Sequence, residues 1–542
     1  MPTRTADCPP ESLYTYSARR WLWDEPDQLQ RRYVRFNINA LIEIAEKAAG
    51  YDADCVNLSR LPEGNSNKIF LAAMRDGQQI IVKIPNPNAG PKHYTTASEV
   101  AAMCFYFQAR ERLNIPVPKP LDYCTDANRT NLGAEYIVME KAPGVELSHI
   151  WDELKGRQKV SIVEQIADVS CKLARARFPA YGALYKRRDV GLDESVAIDD
   201  EFVVGRTLGR AWFEDGRGHV DIHRGPWSSV EDLIKTVAQR EAACIDNLPS
   251  FRRDRQQGIF GGPGGYMPTK EAKKSVLRDF LKICSYLRPK IDALSSGILW
   301  HSDLHTDNIF VDAENPSQIT SIVDWQGVSI NPIFLTAQHP FLIDHEGPKL
   351  EGLVRPALPE NFDWLAPAEQ IAAKRLFLSQ TLWALYEVSV QRAVPELLQA
   401  FRHRTTLQGQ ILGLIGAIYD DGEPYVQILL ADIAEEDIWK QVVGEDEDGN
   451  PSIRCPIWYS EQDKERQKTD LANWERDVER KFDVLHEIGL HAGWDGAVAP
   501  GDYDEVVRRL AAAKQRFLDR ESANEQERAR WEEVWPFQDT TG

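Results

Sequence analysis

The segment His301-Ser-Asp-Leu-His-Thr-Asp-Asn308-Ile-Phe-Val311, followed by Ile322-Val-Asp-Trp325, gathers residue types that do chemistry. Asp303 and Asn308 stand five residues apart in a loop that leads into an apolar strand. Asp324 ends the next apolar strand, twenty-one residues after Asp303. Paired as a hairpin across Asp312–Pro316, the two strands bring Asp324 back beside Asn308. A carboxylate and a side-chain amide, both oxygen donors, suit Mg²⁺ held jointly with substrate phosphates. Asp303 is then free to accept a proton from an attacking hydroxyl. These are the parts of phosphoryl transfer: a metal across the β- and γ-phosphates, and a carboxylate that orients the nucleophile. A zinc cluster of His301, Asp303, His305 and Asp307 fits less well, because loop residues two apart seldom converge on one metal. A purely structural polar turn explains a lone Asp or Asn but not the set.

Such a site needs elements to hold it, and the chain supplies them upstream. Tyr33 to Ala49 carries the apolar spacing of an amphipathic helix, stopped at Gly50. Lys68–Met74 and Gln79–Ile84 read as two strands joined around Asp76-Gly77, a hairpin signature. A helix follows from about Thr96 to Arg112, and then Pro116, Pro118 and Pro120 break the chain. Glu135–Glu140 is a short buried strand that runs into the loop Lys141–Gly144. From Ile150 the pattern is mainly helical, interrupted by strands at Asn308–Val311 and Thr320–Val323. It becomes helical again beyond Pro367, ending in a charged helix over about 503–535. Lys83 sits at the end of the second hairpin strand, where a cation would face phosphates. An apolar strand rarely carries a lysine without a partner, since burying an ammonium is costly. Glu99, sixteen residues on in the next helix, is the natural partner.

The H-x-D-x-x-x-x-N motif, a strand and then D-W resemble the aminoglycoside phosphotransferase and choline-kinase group, which has a protein-kinase-like fold. Asp-Trp in place of Asp-Phe-Gly, and His305 where protein kinases carry Lys, favour its small-molecule branch. The resemblance implies that Asp303 is the base, that Asn308 and Asp324 are the Mg²⁺ ligands, and that Lys83, oriented by Glu99, contacts the α- and β-phosphates of ATP. Leu61-Pro-Glu-Gly-Asn-Ser-Asn67 takes the place of the phosphate-covering loop, with the single glycine Gly64 and with Asn65, Ser66 and Asn67 as donors. Glu140, Lys141 and Ala142 resemble the hinge whose backbone holds adenine. Downstream of D-W the family usually has D-P-x-x-D-L-A. Here Asn331-Pro332 matches the place, but the second Asp is replaced by an apolar residue. That variant is similar to a fungal branch called the "altered inheritance of mitochondria" phosphotransferases, as are Ser17-Ala-Arg-Arg-Trp-Leu22 and Arg224-Gly-Pro-Trp227. The resemblance covers roughly Tyr14 to Ala400.

Composition sets the remaining bounds. The chain has 542 residues, 43% hydrophobic, which is ample for a sizeable core, and a formal charge of −19 that repels nucleic acid and anionic membranes. Eight scattered cysteines without a C-x-x-C pair suggest neither a disulfide framework nor a zinc module. No signal-peptide h-region is present, and Met1–Trp21 is a poor mitochondrial presequence. An intracellular protein is expected, cytoplasmic or, by resemblance, mitochondrial. The longest apolar stretch, Ile411–Tyr419, is too short to span a bilayer. The acidic loop 444–451 reads as a solvated turn, because EF-hand ligand spacing is absent.

The expectation is an α+β, two-lobed fold of the protein-kinase type with a small antiparallel N-lobe sheet. It divides into an N-terminal extension (1–54), a nucleotide-binding lobe (55–142), a catalytic lobe (143–365) and a C-terminal helical region (366–542). The expected activity is ATP- and Mg²⁺-dependent transfer to a small hydroxylated acceptor. A pseudokinase scaffold and an atypical protein kinase are the alternatives. The acceptor site is expected on the C-terminal helical lobe, with the insertion 201–262 (Trp212, Phe213, His223 and Trp227) as its specificity element, although these aromatics fit lobe packing better than acceptor contact.

Overall fold

The computed structural model of the chain describes residues 10–108, 114–191, 194–248, 253–350 and 352–539. The β-branched, alternating segments of the first half form one antiparallel sheet. Its strands are β1 (Cys55–Arg60), β2 (Asn67–Met74), β3 (Gln79–Pro85), β4 (Pro120–Cys124) and β5 (Tyr136–Glu140), in the spatial order β1-β2-β3-β5-β4. β2 and β3 join through Asp76-Gly77, with Gly77 at φ 92° and the Asp76 carboxylate accepting from the Gln78 amide at 2.9 Å. Alternation along β3 sends Ile80, Val82 and Ile84 into a core with Phe36, Leu41, Phe70 and Val138. Lys83 therefore points to the other face, toward α2.

Helix α1 covers Ile38–Ala49, shorter than the apolar pattern from Tyr33 suggests. The Asn37 side chain accepts from the amides of Asn39 and Ala40, so the helix can begin only there, and Tyr33–Phe36 run into it as extended chain. Helix α2 begins at Tyr94 and is described to Gln108; the rest of the expected helix, at 109–113, lies outside the described residues. The strands β1 and β4 carry no sequence signal of their own. Both are sheet edges, with mixed rather than alternating burial.

The second lobe packs α3 (Gly156–Arg175) against the long helix α6 (Pro367–Ala393), where the Tyr386 hydroxyl donates to Ser170 at 3.0 Å. Between them in sequence lie β6 (Ala183–Lys186), β7 (Phe202–Gly205), α4 (Val230–Asn247) and α5 (Lys270–Ile283). The hairpin β9 (Ile309–Val311) and β10 (Ile319–Ile322) forms in the expected register, Ile309 opposite Ile322. β8 (Gly297–Trp300) pairs with β11 (Ser329–Pro332), Trp300 opposite Ser329. The chain leaves the first lobe through Gly144 (φ 91°), where a Cβ would stand 2.0 Å from the Val311 carbonyl, so only glycine lets the connection pass under β9. Val145–Glu146 then adds a short strand to β9.

Beyond α6, α7 (Glu423–Ile433), α8 (Glu461–Glu487), α9 (Tyr503–Glu521) and α10 (Glu525–Val534) build a helical unit. The single final helix expected over 503–535 is two: Asn524 accepts from the Glu527 amide at 2.9 Å and restarts the helix after a break. Arg20 and Trp21 pair with Val498 and Ala497, and Trp23 meets Trp494 at 5.1 Å, while Leu13 and Tyr14 lie in the N-lobe core. The N-terminal stretch thus staples the first lobe to the last helices. Loop 444–451 is a tight turn, Asp446 accepting the amides of Asp448 and Asn450. Cys104, Cys124, Cys171, Cys244, Cys284 and Cys455 are free thiols, and Cys8 lies outside the described residues. No described helix is long and apolar enough to cross a membrane.

Candidate active site

Lys83, on the α2-facing side of β3, reaches the Glu99 carboxylate at 2.6 Å and the Asp324 carboxylate at 3.0 Å. Glu99 is buried on α2, whose far face is held by Ala183, Tyr185 and Val203 of the β6–β7 sheet. Burial pulls the Lys83 ammonium down, but the charges of Asp324 and Glu99 outweigh it and hold it above the usual lysine range. Burial pushes Glu99 up, and Lys83 offsets this only in part. Asp324 feels the same push from burial; here Lys83 prevails and its carboxyl lies below the usual range. One cation against two carboxylates leaves the cluster at −1, with the Asp324 side chain 43% exposed toward the cleft.

Asp324 is held at φ +59°, a left-handed backbone that costs a β-carbon residue energy unless its surroundings fix it. They do. The Val323 amide donates to the Asn308 carbonyl at 2.9 Å, and Nε2 of buried His301 donates to the Val323 carbonyl at 3.0 Å. Trp325 is anchored by its indole N–H to Ile322 and by rings of His301 and Tyr106 at 4.9 and 5.0 Å. Nδ1 of His301 accepts the Asp303 amide at 3.3 Å, and burial pushes its pKa below the usual value, so the ring is neutral. His301 is thus turned away from His305 and toward Val323. Among the described residues, no three His, Cys, Asp or Glu side chains gather as a metal site, which leaves the zinc reading without support.

The Asp303 carboxylate, 55% exposed, accepts from Asn308 Nδ2 at 3.1 Å and lies 3.3 Å from His305 Nε2. The Asp307 amide donates to His305 Nδ1, and the Asn308 amide nitrogen stands 3.1 Å from Nε2, so the ring packs beside both Asp303 and Asn308. The Asn308 side-chain nitrogen donates to the Asp303 carbonyl and carboxylate, and among the described residues no protein donor reaches its side-chain oxygen. That oxygen and the Asp324 carboxylate are the hard donors a Mg²⁺ ion takes, so the residues fit such a group.

The other expected residues flank this centre. Gly64, Asn65 and Ser66 form an exposed-to-half-buried turn whose amides have no protein acceptor among the described residues. Their loop is braced from beneath: Asn86 and Asn88 side chains donate to the Asn65 carbonyl at 3.2 and 3.3 Å. Glu140 ends β5 and its carboxylate takes the Lys119 amide at 3.4 Å; Ala142 is buried with its amide unpaired. Lys83, Glu99 and Asp324 form one contact set and Asn308 and Asp303 another, linked through the Val323–Asn308 backbone hydrogen bond; among the described residues no hydrogen bond or ion pair joins Gly64, Asn65, Ser66, Glu140 or Ala142 to either. Sequence reading missed the brace between lobes. Gln326, directly after D-W, accepts from Asn67 at 2.8 Å and donates to the Ala89 carbonyl at 3.2 Å. Its position two residues after Asp324 was the available signal. In the insertion, Trp212 and Trp227 are buried against each other at 5.2 Å, and Arg240 lies over Trp212 at 4.6 Å.

Residues 57–262 match the model of the phosphotransferase enzyme family, APH. The matched stretch includes Lys83 and Glu99, and the Asp303 loop lies beyond it. Among known proteins, the chain is 28% identical to a subtelomeric hrmA-associated cluster protein of Aspergillus fumigatus, over 90% of this chain and 97% of that one. It is 23% identical to altered inheritance of mitochondria protein 9 of Yarrowia lipolytica (86% and 82% covered). Its Saccharomyces cerevisiae counterpart is 25% identical (76% and 69%). Among solved structures it is similar to an ADP-bound aminoglycoside phosphotransferase (11% identity, TM-score 0.35, 73% of this chain and 97% of that one). A type I macrolide 2′-phosphotransferase compares in the same way (12%, 0.30, 73% and 97%).

Proposed function

We propose that the chain is an ATP- and Mg²⁺-dependent phosphotransferase that moves the γ-phosphate of ATP to a hydroxyl of a small molecule. The observation that carries this reading is the three-way contact in which Lys83 bridges Glu99 and the cleft-facing Asp324. Lys83 meets the α- and β-phosphates; Glu99, fixed on α2, keeps the ammonium pointed at them. The unpaired amides of Gly64, Asn65 and Ser66 offer donors to phosphate oxygens, and that of Ala142 offers one to adenine. Asn308 and Asp324 would hold Mg²⁺, which neutralises charge across the β- and γ-phosphates when bound. Asp303, oriented by Asn308 and His305, accepts the proton of the attacking hydroxyl. In this reading 55–142 binds nucleotide, 143–365 carries the chemistry, and 1–54 and 366–542 enclose both. The names of the fungal relatives support a mitochondrial location, which a fluorescent fusion at the C-terminus would check.

ATP titration by thermal shift, with and without Mg²⁺, tests the site. The expected result is a Mg²⁺-dependent shift in the wild type and in Asp303→Ala that disappears in Lys83→Ala and Asp324→Ala. Labelled phosphate from ATP should reach small-molecule fractions of a cell extract only with the wild type. A shift that survives unchanged in Lys83→Ala and Asp324→Ala would remove the proposed site. Nucleotide binding without any labelled product would leave a pseudokinase scaffold, and label in protein fractions would make it an atypical protein kinase.

A further inference from the structure

The loop that joins β1 to β2, and takes the place of a phosphate cover, is not shaped by its glycine. Gly64 has no left-handed φ, and among the described residues a Cβ built there would meet nothing within 4 Å. The residue before it does the holding. The Glu63 side chain turns inward, 1% exposed, and pairs with Lys68 at 2.5 Å and with Arg60. Arg60 ends β1 and Lys68 is the second residue of β2, so one carboxylate clasps both stems of the loop. Lys68 is wholly buried on the face of β2 that carries Phe70 and Ala72 into the core, opposite the face of Lys83. Burial pulls its ammonium below the usual lysine range, and Glu63 restores only part. Both cations are bonded a second time, to the N-terminal stretch: Lys68 donates to the Thr15 carbonyl at 3.3 Å, and Arg60 to that of Ser12.

The rest of the loop is fixed from its other side. Asn86 and Asn88 donate to the Asn65 carbonyl at 3.2 and 3.3 Å. A planar trans peptide points its N–H opposite to its C=O, so this brace turns the Ser66 amide away from Asn86 and Asn88. At the far end Asn67 is bonded at 2.8 Å to Gln326, two residues after Asp324. The open amides of Gly64, Asn65 and Ser66 thus lie between two anchored ends. Without the Glu63 carboxylate, Arg60 and Lys68 would be two like charges facing each other across the stem, one of them with no access to water.

Resting on the phosphotransferase reading, we propose that Glu63 is a positioning residue for the nucleotide phosphates: by closing the stem on Arg60 and Lys68 it sets where the amides of Gly64, Asn65 and Ser66 stand. Glu63 itself touches no ligand. The N-terminal stretch backs the same stem, since the carbonyls of Ser12 and Thr15 share the two cations. Phosphate-bearing ligands depend on this arrangement, and adenosine, which has no phosphate, does not.

Calorimetric titration of the full chain with Mg²⁺–ADP and, separately, with adenosine tests the assignment. In Glu63→Gln the Kd for Mg²⁺–ADP should rise about tenfold or more, the size of one lost hydrogen bond to a charged group, while that for adenosine keeps its wild-type value. Glu63→Asp, which keeps the charge on a shorter stem, should recover part of the loss. Glu63→Gln strands Lys68 in the core, so the double variant Glu63→Gln/Lys68→Met is measured beside it. The double variant should melt closer to the wild type and still show the loss for ADP alone, a split that a merely structural ion pair would not produce. Equal ADP affinity in the wild type and the folded variants, or a parallel loss of ADP and adenosine, overturns the positioning role. The reading beneath it fails separately. If the wild type binds neither ligand, or if Lys83→Met and Asp324→Ala bind ADP as well as the wild type, the phosphotransferase site is gone and this inference with it. If ADP binding needs Lys83 but is the same without Glu63, the positioning role alone fails.

Discussion

Two of the molecule's buried lysine–glutamate pairs serve different ends. Lys83–Glu99 lies between the sheet and α2 at 2.6 Å; Lys273–Glu423 lies between α5 and α7 at 2.8 Å, both side chains wholly out of solvent. Around Lys273 every demand is met within the core. Its ammonium also donates to the Ile418 carbonyl at 2.8 Å, and Glu423 accepts the Tyr266 hydroxyl at 2.7 Å. One positive charge faces one negative charge, and the pair is closed. Around Lys83 a second carboxylate intrudes, Asp324, which reaches the cleft on a left-handed backbone. Desolvation makes either pair costly, so neither is strong evidence of stabilisation by itself. What separates a site from a strut is the unbalanced, accessible member.

The largest expected effects break that third member. Asp324→Asn should abolish Mg²⁺-dependent nucleotide binding and reduce phosphate transfer more than about 10³-fold, while the melting temperature holds or rises, since one of two carboxylates competing for Lys83 is gone. Asp303→Asn should leave nucleotide affinity intact and lower kcat by about 10²–10⁴, the range of a lost general base. Single-turnover assays beside calorimetry separate the two. If Asp324→Asn binds Mg²⁺–ATP like the wild type, the distinction drawn above between the two lysines fails.

Next in size is the strut. Lys273→Met strands Glu423 in the core and should cost about 3–5 kcal/mol in urea unfolding, with KM and kcat per folded molecule unchanged. The double variant Lys273→Met/Glu423→Leu should recover much of that loss, because no charge is left buried. Lys83→Met should do the reverse, losing activity at a smaller stability cost, because Asp324 can turn to water and Glu99, already pushed up by burial, can take a proton. Equal stability losses in the two methionine variants would erase the contrast.

Only one of these two pairs was legible in the sequence. Lys83 stands out because an apolar strand of period two has no use for an ammonium, and the catalytic loop downstream supplies a reason for it. Lys273 lies on an amphipathic helix rich in lysines, where one more reads as solvent-facing, and its partner is 150 residues away; only packing brings them together. The same limit explains the edge strands β1 and β4, which have weak periodicity because they lack a neighbour on one side. It also explains Gln326, whose meaning comes from contacts across the lobes. Local spacing exposed the Asp303–Asn308 loop and the β9–β10 register, since a short hairpin determines both. Asn37 and Asn524 changed the helix bounds because a side-chain cap outranks an apolar stripe that continues past it.

The smallest predicted effect probes how the accessible carboxylate is held. His301 is buried, neutral and bound through both ring nitrogens, to the Asp303 amide and the Val323 carbonyl, one residue before Asp324. Burial lowers its pKa; the carboxylates of Asp324 and Asp303 pull it back up in part, and His305 adds to the lowering. An unfolded histidine takes its proton near pH 6.5, so below that the unfolded chain holds a proton the folded one refuses. Stability from this residue is therefore complete above about pH 6.5 and falls with pH toward the lower folded value, at up to about 1.4 kcal/mol per pH unit. His301→Gln keeps a donor for Val323 and cannot titrate. Urea midpoints of the two proteins should thus diverge between pH 7.5 and 5.5, the wild type losing about 1 kcal/mol more. The double variant Lys273→Met/Glu423→Leu, which leaves no buried charge behind, should follow the wild-type slope. Parallel pH profiles for wild type and His301→Gln would mean that the ring accepts its proton in place, and that the left-handed Asp324 is held by Trp325 and Asn308 without it.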